Sequence, residues 1–254
     1  MEYFLLAIFG LVTGSFLNVC IYRLPREKSI VFPSSACPSC GHSLGVFDLV
    51  PVLSFLFLSG SCRYCGEKIT WRYPLVEMLT AGLFVFSGIF FHTPLAIATS
   101  IFFLCSLLVI FFTDLEHFIV PDQIVLPGVL IGLIIALLNN DLANAAWGAV
   151  LGAGFFWLIA KIGERIYKKE VMGYGDIKLS AMLGAFFGWQ DLVIALYLSF
   201  IIGSVAGVLL IVTRRKKKDD YIPFAPSLIL GAVAVFFWGS QIANWWLRII
   251  GTAH

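Results

Sequence analysis

Residues 100–138 read SIFFLCSLLVIFFTDLEHFIVPDQIVLPGVLIGLIIALL, and this stretch decides the fold class. An apolar run closes on an acid, Asp114; a short polar connection follows; a second apolar run opens after Pro121 and Asp122. The apolar residues come in continuous blocks rather than at the spacing of one helix face, so the solvent they meet is lipid. The same texture covers most of the chain. Its 254 residues are 60% hydrophobic and 13% charged, include 24 Phe, and have a mean hydropathy of +0.94, against about half apolar for a soluble domain. A soluble globule is excluded, and the composition implies an all-α polytopic membrane protein. The net charge of +2 gives no warrant for nucleic-acid binding.

Apolar runs at 3–22, 75–91, 95–113, 123–138, 144–163, 177–189, 191–212 and 225–247 predict about eight transmembrane helices. The sixth is short and starts with polar residues, so it is expected to be tilted or partly buried in protein. The first is read as a retained anchor rather than a signal peptide. Glu2 follows Met1, the positive flank of Arg23, Arg26 and Lys28 comes after the run, and no small-residue cleavage site is evident. Threading the chain through eight spans places every Lys and Arg except Arg248 on one side, including Lys161, Arg165, Lys168, Lys169, Lys178 and the run Arg214 to Lys218. By the positive-inside rule that side is the cytoplasm, with both termini opposite. The basic run is read as a topology signal in preference to an anionic-lipid patch.

Three regions follow: 1–22, a first transmembrane helix; 23–73, a polar cytoplasmic loop; and 74–254, a transmembrane core. The loop holds CPSCGHSL and CRYCGEKI, in which Cys37 and Cys40, and Cys62 and Cys65, are each spaced by two residues, with 21 residues between the pairs. That spacing predicts a four-thiolate zinc site, and the Gly after each pair permits the tight turn that lets two thiolates converge. Four thiolates leave no open coordination position, so such an ion is structural. Disulfides are disfavoured in a reducing cytosol, and a thioredoxin-like pair lacks its βαβ context. His42 stands beside the first pair as an alternative ligand or a solvated neighbour. Cys20 and Cys105, inside apolar runs, are read as small buried hydrophobes.

Ionisable residues at or inside apolar spans are functional candidates by default. Asp114 closes the third span and Asp176, in MGYGDIKL, opens the sixth. In this topology both lie at cytoplasmic helix ends at similar depth and can meet. Two carboxylates sharing a site do not both ionise easily; one stays protonated, and acid and base are supplied together. The anion can take a proton from a water attacking a peptide carbonyl while its partner donates to the oxyanion. Gly173 and Gly175 flank Tyr174 before Asp176, bare backbone that a substrate strand can approach. Lys178 faces another way on the helix. Asp122 is read as an N-cap, Glu116 and His117 as solvated loop residues, Glu77 as a buried acid with Arg72 as its candidate partner, and Asn18 as a hydrogen-bonder to a neighbouring helix. There is no HExxH, GxSxG or P-loop signature.

GSFLNVCIYRLP, the paired CPSC and CRYC, WRYPLVE, the spacing from Asp114 to Pro121 and Asp122, and GYGDIKL together resemble the type IV prepilin peptidases, the leader peptidase and N-methyltransferase enzymes of pilus assembly and type II secretion. GxGD alone is shared with presenilin-like proteases; the ordered set runs through nearly the whole chain. The resemblance implies a GxGD-type intramembrane aspartyl peptidase of the bacterial inner membrane. Its catalytic residues would be Asp114 and Asp176, cutting the basic leader of prepilins or pseudopilins at the cytoplasmic face. It also implies methylation of the new N-terminus with S-adenosylmethionine, for which the residues show no cofactor fingerprint. IPFAPSL resembles the family's Pro-Phe-x-Pro segment, with Ala225 where Gly is common. Two other classes remain at this point, a proton-coupled transporter using the same carboxylates and a non-catalytic assembly factor.

Overall fold

The computed structural model describes residues 1–168, 172–213 and 222–249. Lys169 and the run Arg214 to Lys218, which enter the charge argument, lie outside the described residues. The described chain is helical: α1 (Glu2–Arg23), the short α2 (Leu53–Phe57), α3 (Arg72–Phe90), α4 (Pro94–His117), α5 (Asp122–Leu138), α6 (Leu142–Tyr167), α7 (Tyr174–Val212) and α8 (Ala225–Ile249). Among the described residues there is no strand beyond two isolated bridges, Ala36 to Ser43 and Ser61 to Lys68. Six helices are long and apolar enough to cross a membrane: α1, α3, α4, α6, α7 and α8; α5 is apolar but only 17 residues long. Large apolar side chains such as Phe4, Phe9, Leu126, Leu130, Trp147 and Val150 stay exposed along them, as lipid-facing residues do. The protein is a multi-pass membrane protein.

Where eight crossings are expected, the sixth and seventh are joined in one 39-residue helix, α7, interrupted at Gly188 (φ 71°, ψ 178°). A straight helix of that length would span about 58 Å, nearly twice the roughly 30 Å hydrocarbon core. It is not straight. Ser180 and Leu192 both lie against the point where a Cβ on Gly152 would sit, at 2.5 Å from the Ser180 oxygen and 3.1 Å from Leu192 Cδ2. Twelve residues of straight helix would hold them about 18 Å apart, so the chain doubles back at Gly188. Too few residues separate the two apolar runs to make a loop, and a glycine with positive φ turns the corner in their place. Asn144 of α6 completes it: its Oδ1 accepts the Trp189 N–H at 3.1 Å, and its Nδ2 donates to Asp141 at 3.0 Å. A helix start has N–H groups without intrahelical partners; here a neighbouring helix supplies the cap.

The chain divides into two compact units, Met1–Thr113 and Asp114–His254, with the division inside α4. In the first, α1 packs on α3 through Gly10 and Gly14. A Cβ on either would come within 2.6 Å of backbone on α3, at Ala81 and Glu77 respectively. This small-xxx-small stripe lets two helix backbones approach in lipid, where dispersion and hydrogen bonds rather than hydrophobic burial drive association. In the second unit α7 packs against α5, α6 and α8. Gly128 and Gly132 of α5 meet Met182 and Ala185, and Gly148 and Gly152 of α6 meet Gly184 and Ser180. The Ser180 hydroxyl donates to the Gly152 carbonyl at 2.9 Å. Phe156, Phe200 and Phe224 pack together between α6, α7 and the start of α8.

Candidate active site and metal centre

Both carboxylates singled out from the sequence lie in the second unit. Asp114 sits in the last turn of α4, behind the buried residues Phe112 and Thr113; the helix ends at His117, and Phe118, with φ 55°, turns its N–H back to the Asp114 carbonyl at 3.0 Å. Asp176 is the third residue of α7, whose N-cap is Gly173 with an extended backbone. The two side chains are buried, at 7% and 6% exposure, and the charge of Asp114 acts on Asp176. Helices far apart in sequence therefore bring two acids into one electrostatic site. The backbone N–H of Ala225, first residue of α8, faces the Asp114 carboxylate. Asp114 Oδ2 is buried with no hydrogen-bond partner among the described residues, an acceptor left for a shared proton or an attacking water. The sequence showed the Pro-Phe-Ala-Pro segment only as a family likeness. Its prolines mark a helix start, and helix starts present free N–H groups.

The four cysteines of the first unit also converge. Their sulfurs all lie within 4.8 Å of one another, with Cys37 and Cys65 Sγ at 3.9 Å. Thiolates at about 2.3 Å around a tetrahedral ion sit about 3.8 Å apart, so the donor set fits a metal ion. Each pair rides on the same turn. Cys37 N–H donates to the His42 carbonyl, Gly41 N–H to Cys37, and Leu44 N–H to Ser35; the second pair repeats this with Cys62 to Glu67, Gly66 to Cys62, and Ile69 to Gly60. Gly41 and Gly66 take φ of 71° and 72°, the left-handed turn the sequence assigned them. In each pair the first cysteine is buried and the second exposed. Backbone N–H groups of Cys40 and Ser39 face the Cys37 sulfur and bring its thiol down to about 7. The Asp48 carboxylate braces the stretch between the pairs, 2.8 Å from Arg63 Nε and 3.1 Å from the Gly45 N–H. His42 stacks on Tyr64, ring centroids 3.6 Å apart, and is not among the four converging donors.

Two family descriptions match the chain: residues 8–91 match a bacterial Peptidase A24 N-terminal domain and residues 101–208 the type IV leader peptidase family. The prepilin leader peptidase/N-methyltransferase of Aeromonas salmonicida strain A449 is 36% identical over 97% of this chain and 94% of its own. The chain belongs to the type IV leader peptidase family. Proteins of the same name from Pseudomonas aeruginosa (35% identical, 96% of this chain, 93% of its own) and Bacillus subtilis strain 168 (34%, 96% and 98%) extend the match across distant bacteria. No solved structure matches the chain.

Other residues of this leader-peptidase chain partly follow and partly depart from their sequence reading. Asp122 is not an N-cap: Pro121 takes that place, and Asp122, first residue of α5, makes no capping bond. Its two carboxylate oxygens instead accept from Lys178 Nζ at 2.7 and 2.9 Å. A pairing across 56 residues has no local signal. Glu77 accepts the N–H of Val52 at 2.7 Å, and the Ser15 side chain also faces it. Val52 has φ 61°, a costly conformation for a β-branched residue, so a buried acid holds a strained backbone in place. Asn18 bonds across helices as expected, donating to the Tyr73 carbonyl at 3.0 Å. The space beside Gly175 is filled by Val120, 2.7 Å from where a Cβ would lie, so this glycine serves internal packing rather than the open approach expected of it.

Proposed function

We propose that this chain is a prepilin leader peptidase of the bacterial inner membrane. It would remove the basic leader of type IV prepilins or pseudopilins at the cytoplasmic face, with Asp114 and Asp176 as the catalytic pair. The observation that carries the reading is that α4 and α7 bury both acids and bring them near enough for the charge of Asp114 to be felt at Asp176. One carboxylate, ionised, takes a proton from water as it attacks the scissile carbonyl. The other, protonated, donates to the carbonyl oxygen; when the tetrahedral intermediate collapses, the first acid passes the proton it took from water to the leaving amine and a hydroxyl proton of the intermediate returns to the second. Helix ends suit the task, because a substrate whose apolar helix lies in the bilayer and whose leader lies in water offers its scissile bond at the interface. The related enzymes carry N-methyltransferase in their names, and we extend that activity to this chain, with S-adenosylmethionine as methyl donor and no residue assigned to it. Residues 23–73 would form a cytoplasmic zinc module on Cys37, Cys40, Cys62 and Cys65, and 74–254 the peptidase core. Family membership disfavours the transporter and assembly-factor readings.

The test is leader removal from a co-expressed prepilin. Asp114→Asn and Asp176→Asn should each lower it by at least about 10²-fold, the usual contribution of a positioned acid or base, while the protein accumulates normally in the membrane. Cleavage at the normal rate in either variant overturns the assignment. Mass spectrometry of the mature pilin N-terminus reports cleavage site and methylation in one measurement.

A further inference from the structure

The short connection from α4 to α5 touches the start of α7 on both sides of Asp176. Phe118 at its beginning is bonded to the Asp114 carbonyl. Val120 fills the place of a Gly175 side chain, its Cγ2 and Cβ at 2.7 and 2.8 Å from an added Cβ. Asp122 at its end grips Lys178 with both oxygens. In α7 these contacts fall one residue before and two residues after Asp176. Asp122 lies in the first turn of its own helix, and among the described residues its side-chain hydrogen bonds go across the gap to Lys178 of α7. Residues 176 and 178 project about 200° apart on a helix, which keeps Lys178 turned from the acid pair.

We propose that Val120, Asp122 and Lys178 are positioning residues, a clamp by which residues 118–122 fix the Gly175–Asp176 turn at its working distance from Asp114. This rests on the assignment of Asp114 and Asp176 as the catalytic pair. Both members of the ion pair are about half exposed, and exposed pairs contribute little to stability, so its loss should leave folding intact and appear in the rate.

The experiment is steady-state cleavage of a prepilin by the full-length protein in detergent. Asp122→Ala and Lys178→Ala should each lower kcat by up to about five-fold with KM unchanged, and the exchanged pair Asp122→Lys with Lys178→Asp should recover most of the loss. High salt should bring the wild-type kcat down toward that of Asp122→Ala and leave the variant unmoved, because exposed charges are screened. Gly175→Ala should lose about ten-fold, and adding Val120→Ala, which vacates the colliding methyls, should restore it. The proposal is overturned if both alanine variants keep wild-type kcat, or if the exchanged pair does no better than either single variant. Asp114→Asn and Asp176→Asn run alongside: if they are inactive while the exchange gives no rescue, only the clamp fails, whereas if either still cleaves, the catalytic assignment fails first.

Discussion

Replacing Cys62 by Ser should unfold the cysteine module while α1 and α3 stay packed, and the structure gives the scale of the effect. Between residues 24 and 71 the buried residues are Cys37, Phe55 and Cys62, and the Asp48 side chain is buried as well. Phe55, packed on Trp71 with ring centroids 4.8 Å apart, is the one large apolar group among them, and its burial contributes about 1.5–3 kcal/mol. A structural zinc ion contributes about 10–16 kcal/mol in small zinc-finger peptides near neutral pH. With the proposed zinc bound, the ion rather than a hydrophobic core would decide whether this segment is ordered. Removing one thiolate also leaves the buried Cys37 facing an incomplete site. The assay is metal content of the purified full-length protein together with limited trypsin digestion, since Arg63 is half exposed and Lys68 lies in the same hairpin. Wild type should carry about one zinc per chain and resist cutting at these two sites; Cys62→Ser should lose the metal and be cut there first. Wild-type metal content and an unchanged digestion pattern in the variant would show that no ion orders this segment. Acid should act in the same direction. Thiolates, not thiols, hold a metal ion, so protons compete with it and binding weakens as pH falls. Zinc retention should fall with it.

Glu77→Gln keeps an oxygen that can accept the Val52 N–H and should leave the thermal midpoint of the detergent-solubilised protein nearly unchanged. Glu77→Leu leaves that N–H without a partner and should cost about 1–3 kcal/mol; equal midpoints for the two variants would show that the contact is inert. Gly188→Ala forces an L-residue into a positive-φ extended conformation that only glycine adopts readily, about 1–3 kcal/mol, and also collides with Asn144. It should destabilise the protein more than Asn144→Ala, which loses a cap worth about 0.5–2 kcal/mol; chemical unfolding in mixed micelles ranks the two.

Much of the architecture was readable because lipid imposes a strong pattern. Every apolar run of the sequence lies in a helix of the structure, and the CxxC spacing located the convergent sulfurs through local turn chemistry. Asp114 and Asp176 stood out because ionisable groups are rare in such surroundings. The misreadings share one cause. Asp122 was taken for a cap from its place after Pro121, but its partner Lys178 is supplied by another helix. The bond from the Val52 N–H to Glu77, 25 residues away, was likewise not legible in the local pattern. Gly175 was read as open backbone until Val120 was seen to occupy it. Contacts of this kind depend on which helices become neighbours, and hydropathy does not carry that information. The glycine pairs at 10 and 14, 128 and 132, and 148 and 152 do carry part of it, since their four-residue spacing marks close helix approach.

The reversal at Gly188 bears on how the orientation of this chain would be mapped. Reporter fusions and inserted epitopes need a surface loop to accept them, and this corner has none; an insertion there would split the Asn144 to Trp189 bond it was meant to leave undisturbed. A survey that skips the corner scores α7 as a single passage, and an odd miscount swaps the leaflet assigned to everything downstream, including the Ala225 end of α8 that faces Asp114. Labelling of a cysteine placed at Gln190, compared with the parent protein that keeps its native cysteines, would register the missing bend.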